Sequence, residues 1–475
     1  MNLDVIPPQN IVPASNGGRV VSIPEAFQLA IEAQQKGDFQ RAMELYSAIV
    51  RANPNAFNAW NNLGAIFLDQ KKTHSALICF KKAYEKNPES IMHGTNVANA
   101  LIALGRGSEA QLLCEQMLEQ HNNNPEIFPA YNNALREDMQ FAKAIEVLDI
   151  AKEHKPTDPF LDWGRGQNLL SIGRFDEGFL AYESRYHLGT GKVPTKDFGC
   201  PRWLGLMDKT EIDLTGKIIL LHEEQGFGDT IMAARYIPWV KQKVGQSGIV
   251  ILQCKPHLIR LFKEVGADFV IGLNQVPGTN NIPKPDYHTL VMSLPGAFGT
   301  QPTTIPPPAK LHIPDEARKK FAFIGNQYPK DKFPNIKKIG IVWYGSDSFS
   351  HNDRRSIGLD AFLPFAERSD IKFYSLQKEP YSKQLYDQGA NVYIEDMGQH
   401  CVDFADTAAV IEQLDFIVMS DSSVAHLAGT MGKRVVNIIT ESPYWIYTLN
   451  KRKTAWYPGM ELIRKNELHK VFKKL

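Results

Sequence analysis

The sequence has no run of about 18 consecutive apolar residues, the length a helix needs to cross a bilayer, so a spanning helix is not expected. Its opening residues, MNLDVIPPQN, have neither the basic patch nor the apolar core of a secretory leader. No charge of one sign dominates. The 53 basic residues face 52 acidic ones, so nothing in the bulk field argues for nucleic acid or an anionic membrane surface. Cysteine is scarce as well. Cys79, Cys114, Cys200, Cys254 and Cys401 are scattered without a CxxC pair, which suits reduced thiols rather than a disulfide framework. These absences lead to the expectation of a soluble, cytoplasmic chain, and 475 residues are enough for two or three separate cores.

What is present, first, is a period. Ala42, Ala76, Ala110 and Ala144 recur every 34 residues, and Gly178 falls on the next beat. Around the second beat the chain reads AWNNLGAIFLDQKKTHSALICFKKAYEKNP. Trp60, Leu63, Gly64, Phe67, Ala76, Phe80, Ala83 and Pro88 resemble the tetratricopeptide pattern. Small Gly64 and Ala76 would let two antiparallel helices approach, Trp60 and Phe80 would fill the gaps, and Pro88 would stop the second helix. Leu29, Tyr46 and Pro54 mark the first copy, Ala98 the third, Ala151 and Pro156 the fourth, and GRFDEGFLAYESRY a degenerate fifth. The spacing predicts a flexible segment over 1–20 and an α-solenoid of about five repeats over 21–190. Asn62 and Asn96, 34 apart, are expected on its concave face. They stand either as solvated groove polarity or as an asparagine ladder gripping an extended peptide through amides that both donate and accept.

After residue 190 the texture changes to short Ile- and Val-rich runs: KIILLH, GIVILQC, TLVMSL, KIGIVWYG, DFIVMSD and RVVNIIT. Helical stretches or turns separate them, the pattern of parallel sheets covered by helices. The Pro- and Lys-rich stretch 301–335 is expected to link two Rossmann-like α/β halves, 191–300 and 336–475, the second ending in a helical tail. A ligand would then sit at the carboxyl ends of the strands.

Three stretches there carry candidate chemistry. HEEQGFGDT is not a zinc-protease helix, because the position four after His222 is Gly226. It is not a dinucleotide turn, because Ile231 replaces the third glycine, and no GK[ST] phosphate loop is present. Gly226 and Gly228 are expected to permit a tight turn and close backbone approach. Asp229 then either caps the helix or projects a carboxylate into the cleft. In DFIVMSDSSVAHLAGTMGK, Asp421, Ser422 and Ser423 form a turn before a short helix whose amides and dipole suit a diphosphate. His426, one turn in, is either a buried structural histidine or a contact to phosphate or sugar. In WYGSDSFSHNDRRSIGL, Arg354 and Arg355 follow a strand and are either solvated or placed to neutralise a leaving phosphate. Glu223, Glu224 and Glu441 are second-choice acids at strand ends. Trp343, Trp445 and Tyr447 either stack on a base or sugar or belong to the core.

EEQGFGDTIMAARYIP, YHTLVMSLPGAFGT, NDRRS, SLQK, DFADTAAVI and DSSVAHLAGTMGK, together with the repeats and their closing AYESRY, resemble bacterial proteins that join tetratricopeptide repeats to a glycosyltransferase family 9 (heptosyltransferase-like) domain. The resemblance covers nearly the whole chain. It implies a GT-B pair of Rossmann-like domains and inverting, metal-independent sugar transfer with no resident cofactor, a nucleotide-sugar being the co-substrate. The base of that family maps onto Asp229, and the donor's diphosphate site onto Asp421, Ser422 and His426. Ser423 stands where heptosyltransferases typically carry glycine, and Arg355 replaces their donor-side lysine. The implied partners are the donor, a protein or glycan acceptor, and a protein in the repeat groove. The alternatives are a non-catalytic repeat scaffold with a nucleotide-binding, transferase-like domain, and a sugar-nucleotide epimerase on the same plan.

Overall fold

A computed structural model describes residues 11–13, 20–189, 197–208, 210, 212–224, 226–279, 281–346 and 352–474. Most of the segment expected to be flexible, 1–20, lies outside the described residues. The chain divides into two compact units, Met1–Leu161 and Asp162–Leu475.

The first unit opens with a short antiparallel pair, β1 (Ile11–Pro13) and β2 (Val20–Ser22). Helix pairs follow: α1 (Ile23–Gln35) with α2 (Phe39–Ala52), α3 (Phe57–Asp69) with α4 (Thr73–Lys86), α5 (Ile91–Ala103) with α6 (Gly107–Gln120), and α7 (Phe128–Glu137) with α8 (Phe141–His154). The alanines of the 34-residue period are fully buried at the helix contacts. A Cβ on Gly64 would come within 2.8 Å of the Phe80 ring, so that glycine is there for close approach. Trp60, expected as gap filler, is only half-buried and donates its indole N–H to the Pro54 carbonyl at 3.0 Å.

A second 34-residue period emerges at the turns. Gly37, Lys71, Gly105, Met139 and Gly173 all hold positive φ, between 57° and 84°. In each turn the next residue's N–H reaches back five positions, as from Asp38 to Ala33 at 2.9 Å and from Lys72 to Phe67 at 2.8 Å. These are left-handed helix terminations that satisfy the orphan carbonyls of the first helix.

The unit boundary falls inside α9 (Pro159–Ser171), so the fifth pair, completed by α10 (Phe175–Tyr182), belongs mainly to the second unit. Phe175, Phe179 and Tyr182 are buried in the core of that α/β unit.

The second unit holds two sheets. β3 (Ile218–His222), β4 (Ile249–Cys254), β5 (Phe269–Gly272) and β6 (Tyr287–Leu290) form an all-parallel sheet in the order β5-β4-β3-β6. β7 (Lys337–Val342), β8 (Ile371–Ser375), β9 (Ile394–Asp396), β10 (Phe416–Ser420), β11 (Arg434–Ile438), β12 (Lys453–Thr454) and β13 (Tyr457–Ile463) form the other, ordered β12-β13-β11-β10-β7-β8-β9. Only the edge strand β12 runs antiparallel. The strand order reverses at β3 in the first sheet and between β7 and β10 in the second, the places where open α/β sheets leave crevices for ligands.

The stretch 301–335 is not a bare linker. Residues Asp315–Gln327 form a helix that buries Ala317, Phe321 and Ile324. The i, i+4, i+7 spacing of these three gives an apolar stripe, and it packs on the Phe404–Gln413 helix of the second sheet.

Candidate functional site

The three candidate stretches all leave strands at the reversal points: Asp229 after β3, Trp343–Arg355 after β7, and Asp421–His426 after β10. Folding brings the first and third into contact. The Phe227–Ala233 helix packs on the Ser423–Thr430 helix, and Phe227 meets Phe404 with ring centroids 4.9 Å apart.

Asp229 is the third residue of its helix rather than the N-cap, which is Gly226. Its Oδ2 accepts the Gly226 N–H at 3.1 Å, closing the helix N-terminus from inside. Its Oδ1 accepts the Tyr444 hydroxyl at 3.2 Å, a partner from the loop that follows β11. Burial pushes the carboxyl up to about 6, with help from the like charges of Glu224 and Asp421 and against the two hydrogen bonds. Such a group is ionised at neutral pH yet basic enough to take a proton.

The two glycines meet the expectation in part. Neither has positive φ, and Gly226 sits at φ −76°. Gly228 does serve close approach: a Cβ there would lie 2.6 Å from Cδ2 of His426. The His426 ring is thus held between Gly228 and Tyr457, whose hydroxyl is 3.0 Å from Nδ1. Burial lowers this imidazole to about 4, Arg235 adding to the effect and Asp421 opposing it, so it is neutral at physiological pH.

The Ser423–Thr430 helix starts directly after β10, with Ser422 as N-cap in an extended conformation. The Ser422 hydroxyl makes no cap hydrogen bond, and its Oγ is buried without a partner. Ser423 is half-buried as the first helical residue. Asp421 accepts from Asn437 at 3.3 Å. Arg355 donates to Asn352 at 3.2 Å and feels the charges of Asp421 and Tyr447, while its burial lowers its own affinity for the proton. Its guanidinium lies so close to Gly345 that a Cβ there would come within 2.4 Å of Nη2. Arg354 is half-buried beside it, and residues 347–351 of this stretch lie outside the described residues.

The second-choice acids are engaged elsewhere. Both oxygens of Glu224 are bound by Arg185 at 2.7 Å, and Glu223 accepts the Lys255 backbone N–H at 2.9 Å. Glu441 is an exposed carboxylate 3.4 Å from Arg464. Trp343 and Trp445 are core residues, 0 % and 3 % exposed, so neither is available to stack on a ligand. Tyr447 is buried too, its ring 6.4 Å from that of His426. Asp403 caps the Phe404–Gln413 helix, and Asp403 and Asp406 hold Arg260 of the first sheet's half at 2.9 and 3.2 Å. The DFADT stretch therefore joins the two sheets. Tyr444, Tyr457 and Arg185 were not singled out from the sequence; the AYESRY motif that contains Arg185 was the only signal for any of them.

In the first unit, Asn62 and Asn96 do not form a simple ladder. Asn96 donates to Asn61 at 2.8 Å, Asn61 to Asn62 at 3.4 Å, Asn62 to Tyr46 at 3.0 Å, and Tyr46 to Gln34 at 3.2 Å. The amides are tied into a chain of side chains that crosses the repeats, which leaves each of them fewer free valences for a peptide.

Residues 27–91 match the tetratricopeptide repeat family. The N-terminal region is a tetratricopeptide-type solenoid. Over 450 residues the chain is 22% identical to Protein FlbA of Caulobacter vibrioides, covering 92% of this chain and 68% of that protein. It is 39% identical over 74 residues to Superkiller complex protein 3 of Homo sapiens, 16% of this chain and 5% of that one. Among solved structures it is similar to MamA (17% identity, TM-score 0.31, 36% of this chain and 93% of that chain). It is also similar to YrrB, a TPR protein with an unusual peptide-binding site (14% identity, TM-score 0.30, 34% and 84%). No helix among the described residues is long and apolar enough to cross a membrane.

Proposed function

We propose that the α/β unit is an inverting, metal-independent glycosyltransferase of GT-B plan, heptosyltransferase-like, and that the repeats recruit a protein acceptor or partner. The observation that carries this reading is the Asp229 carboxylate: raised to about 6, bound by Tyr444 from the loop after β11, and placed after β3, where the strand order of the first sheet reverses. A perturbed acid at a strand-order reversal is a candidate for proton transfer.

In the proposed step an acceptor hydroxyl attacks the anomeric carbon of a nucleotide-sugar. Asp229 takes the hydroxyl proton as the new C–O bond forms on the face opposite the leaving group. The bond from the anomeric carbon to phosphate oxygen breaks, and the nucleoside diphosphate departs with the electron pair. The N-terminal amides and Ser422 hydroxyl of the Ser423–Thr430 helix, with Arg355, receive the developing charge. Neutral His426 supports the meeting of the two helices and leaves cationic duty to Arg355.

The non-catalytic scaffold draws on the same carboxylate, since Oδ2 of Asp229 also closes the N-terminus of its own helix. Incubation of wild type and Asp229→Asn with a panel of nucleotide-sugars separates the two readings. Nucleoside diphosphate released by wild type alone, with the donor stabilising both proteins against heat, supports the transferase. A panel that neither stabilises nor turns over sinks it.

A further inference from the structure

The closing repeat reaches the Asp229 carboxylate from two directions. Arg185, just beyond α10, is 1 % exposed and donates through Nε and Nη2 to both oxygens of Glu224 at 2.7 Å. The same guanidinium binds Glu183 at 2.6 Å, the Tyr182 carbonyl at 3.1 Å and the Ser293 hydroxyl at 3.0 Å. Glu224 lies two residues past the end of β3, on the way to the helix that carries Asp229. On the opposite side, Phe175 and Phe179 of α10 meet Trp445 edge-on at 5.9 and 5.8 Å. The neighbour of Trp445 is Tyr444, the hydroxyl donor to Asp229. Thr448 ties the same segment to the end of α9, its hydroxyl donating to the Ser171 carbonyl at 2.7 Å.

As an adhesive, this arrangement is poorly chosen. Burying an arginine and its carboxylates costs several kcal/mol in desolvation, and an apolar contact of similar volume usually holds a fold at least as well. What the ion cluster adds is direction, since a bidentate guanidinium fixes a carboxylate in plane and distance. We propose that Arg185 and the Phe175–Phe179–Trp445 edge form a positioning element, by which the last repeat sets the geometry of the Asp229–Tyr444 pair. Its catalytic consequence rests on Asp229 acting as the base.

The groups that face Asp229 are Glu224 from the β3 exit, Asp421 from the β10 exit, Tyr444 and Tyr447 from the segment between β11 and β12, and Tyr457 of β13. Arg185 neutralises the first of these. Arg185→Lys keeps the charge and loses the planar fork; Glu224→Gln removes the like charge and keeps an acceptor; Trp445→Phe loosens the second anchor alone. Each is made in the full chain, and its kcat and KM are measured for whichever nucleotide-sugar wild type turns over. Carbodiimide labelling of Asp229, followed by peptide mass spectrometry across pH, reads the carboxyl without needing activity.

The expected result is a kcat lowered roughly tenfold or more in Arg185→Lys and Trp445→Phe with KM nearly unchanged, because a small misplacement of a reacting group is costly. The labelling midpoint of Asp229 is expected to move up in Arg185→Lys, because lysine cannot bind both oxygens of Glu224 and so neutralises it less closely, and down in Glu224→Gln. Variants that melt earlier but keep both the wild-type kcat and the wild-type midpoint overturn the proposal. Should wild type turn over no donor, the base reading fails by itself, and the labelling decides positioning alone: opposite shifts uphold it, unmoved midpoints overturn it. Trp445→Phe, which disturbs no charge, provides the kinetic test if Arg185→Lys does not fold.

Discussion

Gly228→Ala perturbs the junction of the two sheets with one methyl group. The added carbon would lie 2.6 Å from Cδ2 and 3.1 Å from Nε2 of His426, the nearer contact roughly 0.8 Å inside ordinary van der Waals distance. The ring cannot simply slide away, because it is 6 % exposed and its far side is bonded to Tyr457 at 3.0 Å. Overpacking of this kind costs about 1–3 kcal/mol, against a helix-propensity gain of up to about 1 kcal/mol for replacing glycine. The net expectation is a loss of ~1–2 kcal/mol, or a fall of roughly 2–4 °C in the calorimetric transition of the larger unit. Gly226→Ala is the control for space: its Cβ would meet Asp229 Oδ2 at 3.4 Å, an ordinary contact at an allowed φ, so it should lose only the roughly 0.5–1 kcal/mol of placing alanine at an N-cap and show no coupling to His426. A double-mutant cycle with His426→Ala should return a favourable coupling of about 1 kcal/mol, since deleting the ring removes the clash. If Gly228→Ala melts with wild type, or the cycle returns no coupling, the claim that this glycine exists for the histidine is refuted.

On the proposed transferase reading, Asp229→Asn should lower kcat about 10²–10⁴-fold while donor binding persists, and the wild-type rate should fall on the acid side with an apparent pKa near 6. Its stability effect has the opposite sign: the carboxyl titrates at 3.8 in the unfolded reference and about 6 when folded, so its favourable contribution is complete below pH ~4 and lost as pH rises through 6. Asp229→Asn should therefore be more stable than wild type at pH 8, by at most about 3 kcal/mol, with the difference gone at pH 4 in urea titrations. Lys71→Gly and Met139→Gly place glycine where φ is +60° and +57°, and each should stabilise the solenoid by about 0.5–1 kcal/mol; a destabilised variant would contradict the left-handed turn. Arg260→Ala cuts the bonds to Asp403, Asp406 and Glu316 and should cost the larger unit ~1–2 kcal/mol by urea unfolding, tempered because Lys320 still pairs with Asp406 at 2.9 Å.

The repeats were legible because a tetratricopeptide is a local object. Ala42 and its successors must be small wherever two helices of one hairpin cross, so the requirement recurs every 34 residues and shows in one sequence. A second signal of the same kind, the left-handed residue at 37, 71, 105, 139 and 173, was missed because lysine and methionine occupy two of its five positions. Six strands, β3, β4, β6, β7, β10 and β11, were equally plain as apolar runs, whereas β5, β8, β9 and β13 were not, and strand ends located all three candidate stretches. The helix at Asp315–Gln327 was hidden by the prolines on either side of its Ala317–Phe321–Ile324 stripe.

What the sequence by itself determined, then, was the repeat period, the parallel-sheet class and the addresses of Asp229, Arg355 and Asp421. Tertiary structure alone decided which acid is available. Glu224 and Asp229 look alike on paper, yet one is clasped by Arg185, 39 residues upstream, and the other meets Tyr444, 215 residues downstream. It also decided what Gly228 is for. Patterns within a hairpin or strand are enforced by nearest neighbours and leave a periodic trace, whereas a contact across two hundred residues is set by the packing of every element between and leaves none.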